Sequence, residues 1–175
     1  MWRTPASVGV FLYPERMTYD LHLDFGWLGP IYLLAVAWPL TVIDLRERRL
    51  PNRLTLPAFP LTFAGQIFAI ILGADLSRLL IALLGAVLAF AACLALNHSA
   101  GLGMGDVKLI TVMTLALAWF SPLLPALALL AGFTIAGVVS LALVALRKTR
   151  MGSSIALGPY LLIGFLLALI AQGWS

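Results

Sequence analysis

The sequence predicts an all-α, polytopic membrane protein of about six transmembrane helices. Three observations carry that expectation. Apolar residues make up 62% of the 175 positions and charged residues only 10%, with a mean hydropathy of +1.05, which leaves too little polar surface to keep a soluble domain of this size in solution. The apolar residues fall into runs, several of them near the roughly 20 residues that cross a bilayer as a helix. The lysines and arginines gather in the short connections between those runs, as the positive-inside rule expects of a multi-pass chain. Nothing in the pattern has the alternation of a strand.

Taken in order, residues 1–26 read as a non-cytoplasmic tail, followed by a single membrane-embedded domain over 27–175. The apolar core at Val8 to Tyr13 is too short for a signal peptide. Spans are predicted at Trp27–Ile43, Leu54–Leu72, Arg78–Leu96, Val107–Phe120, Leu123–Leu146 and Ile155–Trp174. The fourth is short, so its lower end is expected to meet a water-filled cleft rather than lipid. Pro39, Pro57 and Pro60 predict bends, and Gly158-Pro159 predicts a kink or a late helix start in the sixth span. Gly65, Gly85, Gly132 and Gly137 read as positions where helices pack closely.

The connections orient the chain. Arg46, Arg48, Arg49 and Arg53 follow the first span, Lys108 follows the third connection, and Arg147, Lys148 and Arg150 lie between the fifth and sixth spans. These three connections share one side, which the positive-inside rule makes cytoplasmic. The opposite connections, Gly73–Ser77 and Ser121–Pro122, carry Asp75 and no base. The net charge of +4 therefore reflects topology and contact with anionic lipid, and nucleic acid is not expected as a partner. The lone Cys93 excludes an intramolecular disulfide and any multi-cysteine zinc site. His98 has only His22, in the outward tail, as a histidine companion, so no metal and no cofactor is expected.

Two acids stand at the boundaries of these runs, both on the cytoplasmic side and at similar depth: Asp44, and Asp106 in Gly103-Met104-Gly105-Asp106. Charge at a membrane boundary is unfavourable and tends to persist where it has a function. Two carboxylates brought together can hydrolyse a peptide bond, one holding a proton while the other activates water. Each has an ordinary reading as well. Asp106 could simply cap the fourth helix, and Asp44 could form a surface ion pair with Arg46 or Arg48. The helix ends predict an asymmetry, with the end of the first span raising the pKa of Asp44 and the start of the fourth lowering that of Asp106. Gly101, Gly103 and Gly105 clear side chains from one short loop, permitting unusual dihedrals and close approach of a substrate backbone. No Gly-Lys-Ser/Thr follows them, so a phosphate-binding loop is not indicated. Lys108 can stabilise negative charge at the site or snorkel to the interface. Pro51-Asn52 reads as a turn, and Ser153 and Ser154 lack a base pattern for a serine nucleophile.

Asp44-Leu45-Arg46 with Leu50-Pro51-Asn52, then Gly103-Met104-Gly105-Asp106-Val107-Lys108-Leu109, then Ala156-Leu157-Gly158-Pro159-Tyr160, together resemble the type IV prepilin peptidases, membrane aspartyl proteases with a Gly-x-Gly-Asp motif. The short motif alone is shared with presenilin-like and signal-peptide-peptidase-like proteases, whereas the three segments in this order are more specific. The resemblance implies an endopeptidase that removes leader peptides from pilin-like precursors at the cytoplasmic face of the inner membrane. It implies Asp44 and Asp106 as the catalytic pair and Gly103 and Gly105 as the motif glycines. Lys108, Pro51, Asn52, Gly158 and Pro159 stand as site support. The larger members add a zinc-binding cytoplasmic domain and an N-methyltransferase activity, and neither is expected here. The compact form is similar to the branch that serves Flp-type, tight-adherence pili, and to archaeal preflagellin peptidases. Two other classes fit the composition. A small transporter would place its acids on an ion path and need further polar groups at mid-membrane depth, of which Thr62, Gln66, Thr134 and Ser140 are the few available. A non-catalytic pilus or secretion assembly factor would tolerate Asp→Asn at both positions.

Overall fold

The computed structural model describes residues 25–146 and 156–173. Most of the expected N-terminal tail, together with His22, Arg147, Lys148, Arg150, Ser153, Ser154, the start of the sixth expected span and its last residue, Trp174, lies outside the described residues. Among them, seven α-helices and a short 3-10 turn at Phe25–Trp27 form the chain, with no strand. The helices are α1 (Leu28–Glu47), α2 (Asn52–Thr55), α3 (Ala58–Ile71), α4 (Leu76–Ala100), α5 (Met104–Ala118), α6 (Leu124–Ala145) and α7 (Gly158–Gln172). The protein is a multi-pass membrane protein, as its sequence predicts.

Local chemistry sets most of the breaks. Pro51 opens the single turn of α2, its carbonyl accepting from the N–H groups of Leu54 and Thr55 at 3.1 and 3.3 Å. Pro57 stands at the start of α3, so the second expected span is divided into two helices rather than bent. Asp75 caps α4 by accepting from Ser77 N–H at 3.0 Å. Gly101 closes α4 in the left-handed conformation, φ 71°, which glycine adopts without steric penalty. Gly103 and Gly105 do not share that conformation. Proline occupies the first turn of both α6 and α7, so Gly158-Pro159 marks a helix start. Pro39 lies inside α1.

Four stretches are long and apolar enough to cross a bilayer: Phe25–Glu47, Asn52–Ile71, Leu76–Ala100 and Leu124–Ala145. Helices α5 and α7 have 15 residues each, about 22 Å at 1.5 Å per residue, short of a hydrocarbon core of roughly 30 Å. They correspond to the fourth expected span, which the sequence already makes short, and to the sixth, whose late start falls at Gly158. Helix α5 is the axis of the bundle. Every residue from Leu109 to Ala118 is buried, as is Val107, and all six other helices touch it. The exposed large apolar side chains instead line α1, α3, α4, α6 and α7, including Trp38, Phe68, Leu84, Leu130 and Leu166. This apolar exterior suits a lipid solvent.

Because lipid is as apolar as the side chains, such helices are held by close fit and by backbone-directed hydrogen bonds. Gln66 on α3 donates to the Leu115 carbonyl of α5 at 2.8 Å. Tyr32 of α1 donates to the Leu54 carbonyl of α2 at 3.0 Å. Helices α6 and α7 pack most tightly at Gly132 and Gly164. A Cβ on Gly164 would lie 2.2 Å from the Ala128 carbonyl oxygen and 2.7 Å from the Gly132 nitrogen. Gly65 and Gly85 are contact positions too, but Gly137 faces open space, so its expected packing role is not seen. Its apolar neighbourhood in the sequence could not distinguish a helix-facing side from a lipid-facing one.

Gly164→Val should loosen the α6–α7 pair, since the clash is with backbone that cannot rotate away. The expected loss is about 3 kcal/mol, seen as a lower unfolding midpoint in detergent. Gly137→Val should leave the midpoint unchanged.

Candidate active site

Four helix ends converge at one end of the bundle: the C-terminus of α1 and the N-termini of α2, α5 and α7. Of these, the ends of α1, α2 and α5 line a cleft of about 360 Å³ that holds Asp44 and Asp106, with Gly103, Gly105, Asn52 and Lys108 among its other walls. The two acids, 62 positions apart in the chain, are near enough for the charge of Asp44 to act on Asp106.

Asp44 occupies the last turn of α1 and is only 4% exposed. A surface ion pair is therefore not its setting. Its Oδ2 accepts from the Gly158 N–H at 3.0 Å, a buried hydrogen bond across 114 residues. Its carbonyl accepts from Arg48 N–H at 2.8 Å as the chain turns through left-handed Arg48, φ 52°. The donor on α7 is one of the N–H groups that a first helical turn leaves without an internal partner. Close approach requires glycine there, because a Cβ on residue 158 would sit 2.7 Å from Asp44 Oδ2.

Asp106 lies in the first turn of α5, whereas the capping position is Gly103, and no side-chain cap bond is formed. The simple capping role is therefore excluded. Gly103 makes room for the carboxylate, since a Cβ there would lie 2.9 Å from Asp106 Oδ2. Asp106 precedes the apolar run that begins at Val107. Burial, and then the neighbouring Asp44 charge, push its carboxyl up to about 6. This reverses the expected asymmetry for Asp106. The helix N-terminus does favour its ionised form, but desolvation and a like charge outweigh that effect.

Of the other residues that the sequence singles out, Asn52 and Lys108 line the cleft and Pro51 and Pro159 do not. Lys108 Nζ donates to Asn52 Oδ1 at 2.9 Å, joining α5 to α2 beside the cleft. Pro51 starts α2, and Pro159 is buried in the first turn of α7. His98 is exposed at the end of α4, while the Asn97 amide donates to the Leu102 carbonyl and so holds the loop before α5. Sequence reasoning missed Leu50. Its side chain is wedged between two glycines, 2.8 Å from a Cβ placed on Gly105 and 3.2 Å from one placed on Gly158. Leu50 thus spaces the helix start that bears Asp106 from the one that holds Asp44. Its place directly before Pro51-Asn52 was the available signal. Arg48, Arg49 and Met104 also line the cleft, so those two arginines contribute to the site as well as to the charge of the loop.

The sequence profile of the type IV leader peptidase family matches residues 31–141, which take in both aspartates and the glycine loop. The chain belongs to this family. Among curated proteins, the prepilin leader peptidase/N-methyltransferase of Aeromonas salmonicida (strain A449) is 31% identical over 153 residues, covering 83% of this chain and 50% of the relative. The protein with the same printed name from Pectobacterium carotovorum subsp. carotovorum is 34% identical over 158 residues, 84% of this chain and 52% of the relative. The chain spans about half the length of these relatives. No solved structure matches it. In this leader peptidase family member, the matched region ends four residues before the end of α6 and leaves out α7, which supplies the Gly158 donor.

The raised pKa has a signed consequence. Asp106 prefers its proton in the fold, so ionising it opposes folding. The contribution of the protonated group is present below the ordinary value of 3.8 and is lost as pH rises through about 6. Unfolding midpoints across this range should fall with rising pH in the wild type, and the fall should shrink in Asp106→Asn. In Asp44→Asn the Asp106 carboxyl, followed by NMR of labelled aspartate, should titrate below the wild-type value because the like charge is gone.

Proposed function

We propose that this chain is a membrane-boundary aspartyl endopeptidase that cleaves leader peptides from prepilins or pilin-like precursors, with Asp44 and Asp106 as its catalytic pair. The observation that carries this reading is the cleft itself, in which two carboxylates from different helices face one space and interact electrically. Family membership supports the same reaction class. The cations at this end of the bundle, Arg46, Arg48, Arg49, Arg53 and Lys108, support a cytoplasmic-facing site in the inner membrane. A Flp-like prepilin is the first substrate to try, given the compact form of the resemblance.

The chemistry follows from a carboxyl pair that shares one proton, a property of the pair rather than of either residue. A water between Asp44 and Asp106 loses a proton to the ionised carboxylate as its oxygen attacks the scissile carbonyl carbon. The protonated carboxyl donates to the carbonyl oxygen, giving a neutral tetrahedral diol. Collapse of the diol breaks the C–N bond, with proton transfer from the pair to the leaving amine and return of a diol proton to the pair. Gly158 N–H holds Asp44 in position and Leu50 keeps the helix starts apart. Lys108, tethered by Asn52, places a positive charge beside the cleft. Membrane anchoring of the substrate would hold the scissile bond at the depth of the pair, an orientation effect.

Most of the mid-membrane polar donors that a transporter reading would use are already committed. Thr62 and Thr134 bond carbonyls of their own helices, and Gln66 bonds Leu115.

Co-expression with a Flp-type prepilin, in a host lacking its own prepilin peptidases, tests the reading. The wild type should shorten the precursor, and N-terminal sequencing of the product identifies the bond. Asp44→Asn and Asp106→Asn should each slow cleavage by about a hundredfold or more; retained cleavage in both would refute the pair. Gly158→Ala, which crowds Asp44 without touching Asp106, should reduce the rate by roughly tenfold, the order expected when a catalytic group is displaced.

A further inference from the structure

Beside the cleft, a second concavity of about 340 Å³ runs along the outside of the bundle between α3, α4 and α5. Phe59 of α3 forms one wall. Leu83, Ala86, Val87 and Phe90 of α4 form another, at the spacing of one helix face. Its floor on α5 is Lys108, Thr111 and Leu115, also one face, extending about 10 Å along the axis. The Thr111 hydroxyl is already committed to the Val107 carbonyl at 2.7 Å. Beyond Lys108 the groove therefore presents no free polar group on these walls, and its ligand must be apolar. Lys108 lines both this groove and the cleft that contains Asp44 and Asp106. The two spaces thus meet at one residue, which Asn52 holds in place.

We propose that this groove docks the apolar segment that adjoins the scissile bond of a membrane-anchored substrate. The inference rests on the peptidase reading for which bond is cut. A chain whose scissile bond lies between the carboxylates passes Lys108 and enters an apolar channel about two helical turns long, without leaving the protein surface. Side chains three or four residues apart on a substrate helix would then fill it, as one helix face fits against the ridges of two others. The groove selects for apolar character next to the cut and fixes how deep the substrate sits. Specificity is thereby separated from the acid–base residues.

Val87 and Leu88 make the test clean. Both are on α4 and similarly exposed, at 63% and 60%, but only Val87 lines the groove. With the full-length, membrane-inserted prepilin as substrate, Val87→Trp should slow cleavage by about tenfold, the scale of one displaced anchor, while Leu88→Trp leaves it unchanged. A second readout does not need turnover. In an Asp106→Asn, Cys93→Ala background, the Val87→Cys thiol should form disulfides with single cysteines placed along the substrate's apolar segment, recurring every three or four positions. Cleavage unaffected by Val87→Trp together with no such disulfides would overturn the proposal and assign the groove to lipid. Disulfides at that spacing with a wild type that cleaves nothing would uphold docking and overturn the peptidase reading instead.

Discussion

From Leu109 to Ala118, helix α5 is buried on every side. A largely apolar helix gains nothing from facing lipid rather than protein, so its place at the axis depends on fit and on hydrogen bonds such as Gln66 to the Leu115 carbonyl. Once α5 is central, its first turn must emerge at one end among the ends of its neighbours. That brings Asp106 to the C-terminus of α1 and the N-termini of α2 and α7. The short length of α5 serves the same end, because a helix of 15 residues leaves room beside its first turn for a polar cleft that a full-length span would have filled.

Within the cleft, backbone groups and small residues do most of the positioning. Asp44 is buried and yet bonded to an N–H that the start of α7 has no internal use for. Gly103, Gly105 and Gly158 are each defined by what a Cβ would strike: Asp106, Leu50 and Asp44 respectively. Their common feature is missing volume rather than unusual dihedrals, and the left-handed glycine of this loop is Gly101. Leu50 fills the space that two of them leave. The pair is consequently held by parts of the chain that carry no charge.

Much of this was legible in the sequence. The membrane class follows from composition, and the aspartates stand out because a charged residue at the edge of an apolar run is conspicuous. Their common side follows from counting spans and from the arginines after Asp44. What could not be read depends on contacts between distant segments. The direction of the Asp106 shift needs the burial supplied by the packed helix ends, whereas the sequence shows only its helix-start position. Leu50 looks like any leucine until Gly105 and Gly158 are seen on either side of it. Gly137 resembles Gly132 in its surroundings, but only Gly132 meets another helix. The shortness of α5 and the late start of α7 at Gly158-Pro159 were legible too, in the short apolar run after Asp106 and in the Gly-Pro step.

The burial of α5 from Leu109 to Ala118 also bears on how the bilayer reaches the site. A thicker or thinner membrane exerts its mismatch forces on helices that display apolar side chains to it. Here those are α1, α3, α4, α6 and α7, whose exposed residues ring the bundle. Asp106 rides on a helix shielded from that force, whereas Asp44 rides on one exposed to it along Ile31, Leu34, Trp38 and Leu45. The two halves of the pair are thus coupled unequally to the surrounding lipid.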